Sequence, residues 1–136
     1  MSFLKPEMSL QEVKSISMLG LAHVGDGVYE LLNRSQLCRE GHTDVQTLHR
    51  LTVARVRAEA QAKAAAHILH LLTEEELSIY RRGRNTHVNS VPHHAQLADY
   101  HAATGLEALF GWLYLLGRLE RIDALFAAIM EEEHAT

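Results

Sequence analysis

A bundle of α-helices without a sheet is the fold this sequence predicts. Alanine and leucine are abundant and β-branched runs are absent, which favours helix over strand. Ser9 with Glu12, Thr43 with Gln46, and Thr73 with Glu76 have capping-box spacing, in which a hydroxyl and an acid or amide each satisfy one orphan backbone N–H. Both prolines, Pro6 and Pro92, lie outside the long periodic segments.

The elements follow in order. Ser9 opens a short helix over about 10–15, and Ser17 caps a long one over about 18–39, which Gly41 stops. Thr43 opens a third helical region over about 44–72, with a bend expected around Thr52. Thr73 opens a helix over about 74–83, and a loop over about 84–93 contains Pro92. A long helix over about 94–116 ends at Gly117, and a last one spans about 121–133. No internal repeat, low-complexity tract or long linker interrupts this order, so residues 1–136 are expected to form one domain.

Composition narrows the function. Hydrophobic residues make up 47% of the 136 positions, enough for a real core. The single cysteine, Cys38, allows no intrachain disulfide, and a reducing, cytoplasmic compartment is expected. The N-terminus lacks the apolar stretch of a signal peptide, and no run reaches membrane-helix length. The net charge of −4 argues globally against a nucleic-acid binder, but its distribution argues otherwise. No Asp or Glu occurs from Leu77 through Ala98, a stretch holding Arg81, Arg82, Arg84, His87, His93 and His94. The acids cluster elsewhere, as Glu74-Glu75-Glu76 and Glu131-Glu132-Glu133, so a basic strip stands inside an acidic average.

Two acids stand where acids are costly. Asp26 is alone in MLGLAHVGDGVY, between Gly25 and Gly27; Glu107 is alone in YHAATGLEALFGWLYLLG, near Gly105 and Gly111. A carboxylate in apolar surroundings costs several kcal/mol unless compensated. A divalent cation compensates well, since hard oxygen ligands suit Mg²⁺. The glycines would let helices, or a ligand, approach closely. The competing reading is an acid paired with an internal arginine or a backbone N–H, and spacing alone does not decide between them. Glu30 has Arg34 at i,i+4 and reads as half of a surface ion pair. His23 lies one turn before Asp26, within reach of any site there. Phe110, Trp112 and Tyr114 read as core or dimer interface, not as base-stacking groups. The apolar residues around Val24, Val28, Phe110 and Trp112 exceed what a thin bundle needs, which points to a second copy. No CxxC, Walker loop, GxSxG or His-Asp pair is present.

Three segments carry a family resemblance. LAHVGDGVYE (Leu21 to Glu30) resembles the signature helix of ribonuclease III domains in their Mini-ribonuclease III form. YRRGRN (Tyr80 to Asn85) and YHAATGLEALFGWLYLLGR (Tyr100 to Arg118) match two later motifs of that form, in order. The resemblance spans nearly the whole chain. It implies a ribonuclease III-type, all-α, dimeric endonuclease domain that hydrolyses double-stranded RNA with Mg²⁺, leaving 5′-phosphates. It also implies a role in maturing the ends of 23S ribosomal RNA precursor, hence partners that include precursor RNA, a second copy of the chain and, as a candidate, a ribosomal protein. By this resemblance Asp26 and Glu107 are the catalytic, metal-binding acids. Arg81, Arg82, Arg84, Asn85 and His87 would contact phosphates or 2′-hydroxyls of the duplex.

The wider family has further acids where this chain has Ala22 and Thr104; Mini-ribonucleases III share such losses. Residues 121–136 are too short for the RNA-binding domain that full-length ribonucleases III append. Two rivals remain open at this stage. One is a catalytically silent RNA-binding or ribosome-assembly module on the same fold. The other is a helical-bundle hydrolase acting on nucleotides, although such enzymes usually need a denser set of acids.

Overall fold

A computed structural model describes residues 2–86 and 96–135. The helices are α1 (Leu10–Lys14), α2 (Met18–Arg39), α3 (Val45–Val56), α4 (Ala58–Ile68), α5 (Glu74–Arg84), α6 (Leu97–Leu115) and α7 (Leu119–Ala135), with a 3₁₀ turn, Leu69–Leu71, closing α4. Among the described residues the one β-type pairing is an isolated bridge between Ser2 and Lys5.

The expected starts and stops are largely present. Ser9 with Glu12 and Thr73 with Glu76 form complete capping boxes, and the Ser17 hydroxyl accepts from the Gly20 N–H. Gly41 and Gly117 adopt φ of 102° and 78°, a region in which glycine carries no Cβ penalty. After Gly41 the His42 N–H donates to the Leu37 carbonyl; after Gly117 the Arg118 N–H donates to the Leu113 carbonyl. These long-range caps satisfy carbonyls that would otherwise be orphaned.

The third region differs from expectation in two ways. Asp44, not Thr43, caps α3, its carboxylate accepting from the Thr47 N–H at 3.0 Å. A charged acceptor suits the positive end of a helix better than a hydroxyl does. The bend falls at Arg57, whose ψ of 158° separates α3 from α4. Thr52 stays helical because its hydroxyl donates back to the Leu48 carbonyl at 2.7 Å.

Helix α6 is the axis of the molecule. Leu106, Ala108, Leu109, Phe110 and Leu113 are completely buried, and α2, α4, α5 and α7 all pack on this helix. A helix covered on most sides needs an apolar surface all round, which is how its sequence reads. Phe110 meets the Tyr29 ring edge-on at 5.3 Å, and Tyr29 meets Phe126 likewise at 6.0 Å. Trp112 is buried under the Arg118 guanidinium. Of the two readings for Phe110 and Trp112, intrachain core is the one realised.

Four of the sequence's glycines set the helix crossings. A Cβ on Gly25 would collide with the Glu107 carbonyl, and one on Gly111 with the Leu21 carbonyl, so α2 and α6 touch backbone to backbone. A Cβ on Gly105 would sit 2.7 Å from the Tyr80 carbonyl, and one on Gly83 would sit 2.8 Å from the Ala108 Cβ, so α5 lies equally close on another side of α6. Gly27 is different: a Cβ there would meet nothing.

Candidate active site

The α2–α6 crossing determines what happens to the two isolated acids. Asp26 follows Gly25 on α2, and Gly25 rests against the backbone of Glu107 itself. The two acids are therefore neighbours across the crossing, and Asp26 acts on the Glu107 carboxyl. Asp26 is exposed and Glu107 is half-buried, so the pair opens to solvent on the Asp26 side. Gly27, bare and exposed, leaves that side uncluttered.

Burial is the main force on Glu107, raising its pKa from the usual carboxylate range to about 8. A hydrogen bond from Gln61 works against the shift, and the adjacent Asp26 adds to it. At neutral pH Glu107 thus favours its protonated form. Such an arrangement is unfavourable for a fold by itself and suits a site completed by a cation.

Gln61 is a neighbour that the sequence reading missed. Its Nε2 donates to Glu107 Oε2 at 3.2 Å and to the Val56 carbonyl at 2.7 Å. The signal was available: Gln61 shares the buried face of α4 with Ala64, Ala65 and Ile68, a polar group on an apolar stripe. That is the anomaly that singled out Asp26 and Glu107.

The other residues near the pair add no third acid. Ala22 and Thr104 are buried, and the Thr104 hydroxyl is engaged with the Tyr100 carbonyl at 3.0 Å. His23 is exposed on α2. Among the described residues no group of three or more His, Cys, Asp or Glu side chains could hold a metal. Glu30 pairs with Arg34 at 3.3 Å, the surface ion pair its spacing suggested.

The arginine run occupies the last turn of α5. Arg81 and Arg82 are exposed; Arg84 lies over the Tyr80 ring at 5.7 Å, and its Nε donates to Asn85. Asn85 is the C-cap. The three arginines make no ion pair among the described residues, whereas Arg34, Arg55, Arg57, Arg118 and Arg121 all do. The other end of α5 is tied down. Arg121 grips the buried Glu76 carboxylate with two contacts of 2.8 Å, and Arg118 reaches Glu75 at 3.0 Å. Burial alone would raise the Glu76 pKa, but Arg121 and the Thr73 cap hold it below the usual range. Tyr80 and Gly83 on this helix pack against Gly105 and Ala108, so α5 joins the Glu107 helix within a turn of Glu107. His87, with His93 and His94, lies outside the described residues.

Residues 19–118, which take in both acids and the arginine run, match the ribonuclease III domain family. The Mini-ribonuclease 3 of Clostridium tetani is 37% identical over 129 residues, spanning 94% of this chain and 85% of that protein. The Thermoanaerobacter Mini-ribonuclease 3 is 44% identical over 115 residues, spanning 85% and 81%. A crystal structure of a Fusobacterium nucleatum protein is similar at a TM-score of 0.81 and 30% identity, covering 90% of this chain and 98% of that one. The chain belongs to the ribonuclease III family, in its Mini-ribonuclease 3 branch. Membership makes it an endoribonuclease. For a Mini-ribonuclease 3, the helix crossing at Gly25 and Gly111 is also the device that brings its two isolated acids together. Among the described residues no helix is long and apolar enough to cross a membrane.

Proposed function

We propose that this Mini-ribonuclease 3 is a Mg²⁺-dependent enzyme that cleaves double-stranded RNA as a homodimer and matures the ends of 23S ribosomal RNA precursor. The observation that carries the reading is the close α2–α6 crossing at Gly25, which sets Asp26 beside Glu107, two acids from different helices placed where neither burial nor like charge favours Glu107. Their donors fit the metal: Mg²⁺ prefers hard oxygens and is commonly held by one or two carboxylates plus substrate phosphates. Bound there, Mg²⁺ supplies a Lewis acid that makes water a competent nucleophile and neutralises charge on the phosphate.

The chain's own residues do the rest. Asp26 and Glu107 hold the cation on the exposed side of the α2–α6 crossing. Arg81, Arg82 and Arg84, fixed on α5 and without carboxylate partners, are available to backbone phosphates. Asn85, and His87 beyond the described segment, would extend that contact to 2′-hydroxyls. With two acids gathered among the described residues, the site would draw on an RNA phosphate to help hold the cation. One site reaches one strand, so a second copy is needed to cut both. Exposed Leu31, with half-buried Val24 and Val28 on the same side of α2, would offer it an apolar surface.

The test is to incubate the pure protein with duplex RNA and with precursor ribosomal RNA, in Mg²⁺ and in EDTA, and to sequence the ends. Discrete 5′-phosphate ends at the 23S termini, formed only with Mg²⁺, are expected. Binding without cleavage would favour a silent RNA-binding module, and release of nucleotides alone would favour the nucleotide hydrolase.

A further inference from the structure

We infer that Gln61 is a positioning residue, which holds the Glu107 carboxylate in place for the divalent cation. The inference rests on reading Asp26 and Glu107 as the metal-binding pair. The Gln61 amide has two N–H groups and two acceptors in reach, the Val56 carbonyl at 2.7 Å and Glu107 Oε2 at 3.2 Å. Rotating the amide by half a turn would set its oxygen against both acceptors, so its orientation is determined by its surroundings. Val56 is the last residue of α3 and Gln61 belongs to the second turn of α4. The amide is therefore anchored across the Arg57 break, to backbone, before it reaches the carboxylate.

Gln61 is not there for the fold's sake. It is 3% exposed, and its Oε1 has no donor among the described residues. A half-satisfied buried amide is worse for stability than an apolar side chain of the same shape, which the neighbouring Ala64, Ala65 and Ile68 would accommodate. Its chemistry matches the task instead. A neutral N–H donor orients a carboxylate without cancelling its charge, whereas a lysine or arginine would compete with the cation. Partners that hydrogen-bond ligating carboxylates typically change metal affinity by about 10–100-fold when removed.

The test uses Gln61→Met, which keeps length and loses the N–H groups, beside wild type, Asp26→Asn and Glu107→Gln. Mn²⁺ affinity is read by electron paramagnetic resonance, cleavage by its Mg²⁺ dependence, duplex affinity in EDTA, and stability by thermal melting. For Gln61→Met, Mn²⁺ affinity should fall about tenfold and the Mg²⁺ needed for half-maximal cleavage should rise in proportion. Duplex affinity without metal and the melting temperature should stay near wild type. As a check independent of any variant's folding, the Gln61 side-chain amide resonance of ¹⁵N-labelled wild type should move on Mg²⁺ addition. Unchanged metal affinity in a folded Gln61→Met, or an amide resonance indifferent to Mg²⁺, would overturn this inference alone. Wild-type metal binding that does not depend on Asp26 or Glu107 would overturn the metal site and this inference together.

Discussion

Glu107 is the residue on which the site turns, and its ionisation should be visible as stability. Its pKa in the folded protein is about 8, against an ordinary value near 4.5. The folded state therefore keeps a proton that the unfolded state releases. Stability drawn from that proton is complete below about pH 4.5 and is lost as pH rises through about 8. Metal-free wild type should thus lose denaturant resistance between pH 5 and 9 relative to Glu107→Gln, which has no such proton to lose. Urea melts in EDTA measure this; parallel pH profiles for the two proteins would show that burial does not perturb Glu107. The same linkage makes metal and proton competitors. Mg²⁺ binding should release up to one proton per site at neutral pH, measured by titration calorimetry in buffers of different ionisation enthalpy.

Among the elements, α2 and α6 depend on glycine for their contact. Gly25→Ala places a methyl into the Glu107 carbonyl, so α2 must retreat from α6. The cost should be about 3 kcal/mol or more of folding stability, with loss of cleavage beyond what instability explains. Gly27→Ala meets open space and should stabilise the protein by about 0.5–1 kcal/mol through helix propensity. Equal effects from the two substitutions in urea melts would contradict the crossing geometry. On α5, Arg82→Ala and Arg84→Ala should weaken duplex binding with little change in melting temperature. Each should lower the slope of log affinity against log salt by up to about one unit, and an unchanged slope would assign the strip to solubility.

Much at this scale was legible in the sequence. The long α2, the Ser9 and Thr73 boxes and the Gly41 and Gly117 stops follow from local chemistry, and local chemistry is what a sequence displays. The break at Arg57 was not legible, because no proline, glycine or cap marks it. The value of Gly25 over Gly27 was not legible either, since it depends on which side of α2 meets α6. Gln61 could be seen as a polar residue on an apolar stripe, but its partner could not: Glu107 lies 46 residues away in sequence, and only packing brings it to Gln61.

For the whole molecule, the uneven charge matters more than the total. A chain with a net charge of −4 gives Arg81, Arg82 and Arg84 no ion pair among the described residues, while it ties Arg118 and Arg121 to the acids at the opposite end of α5. The homodimer expected of this molecule no longer leans on Phe110 and Trp112, which the intrachain core consumes. It leans on the need for two sites per duplex and on the apolar side of α2. Light scattering at micromolar concentration should give twice the 15.3 kDa of one chain; an active monomer would refute it.

Asp26 and Glu107 are expected to form one metal-dependent catalytic centre. Its most direct measurement is single-turnover cleavage of duplex RNA in saturating Mg²⁺ by Asp26→Asn, by Glu107→Gln and by the double variant. The expected result is that each single change lowers the rate by about a hundredfold or more, that the fold persists, and that the double variant is no worse than the singles, as for residues acting as a unit. A rate near wild type for either single variant, with melting behaviour intact, would contradict it.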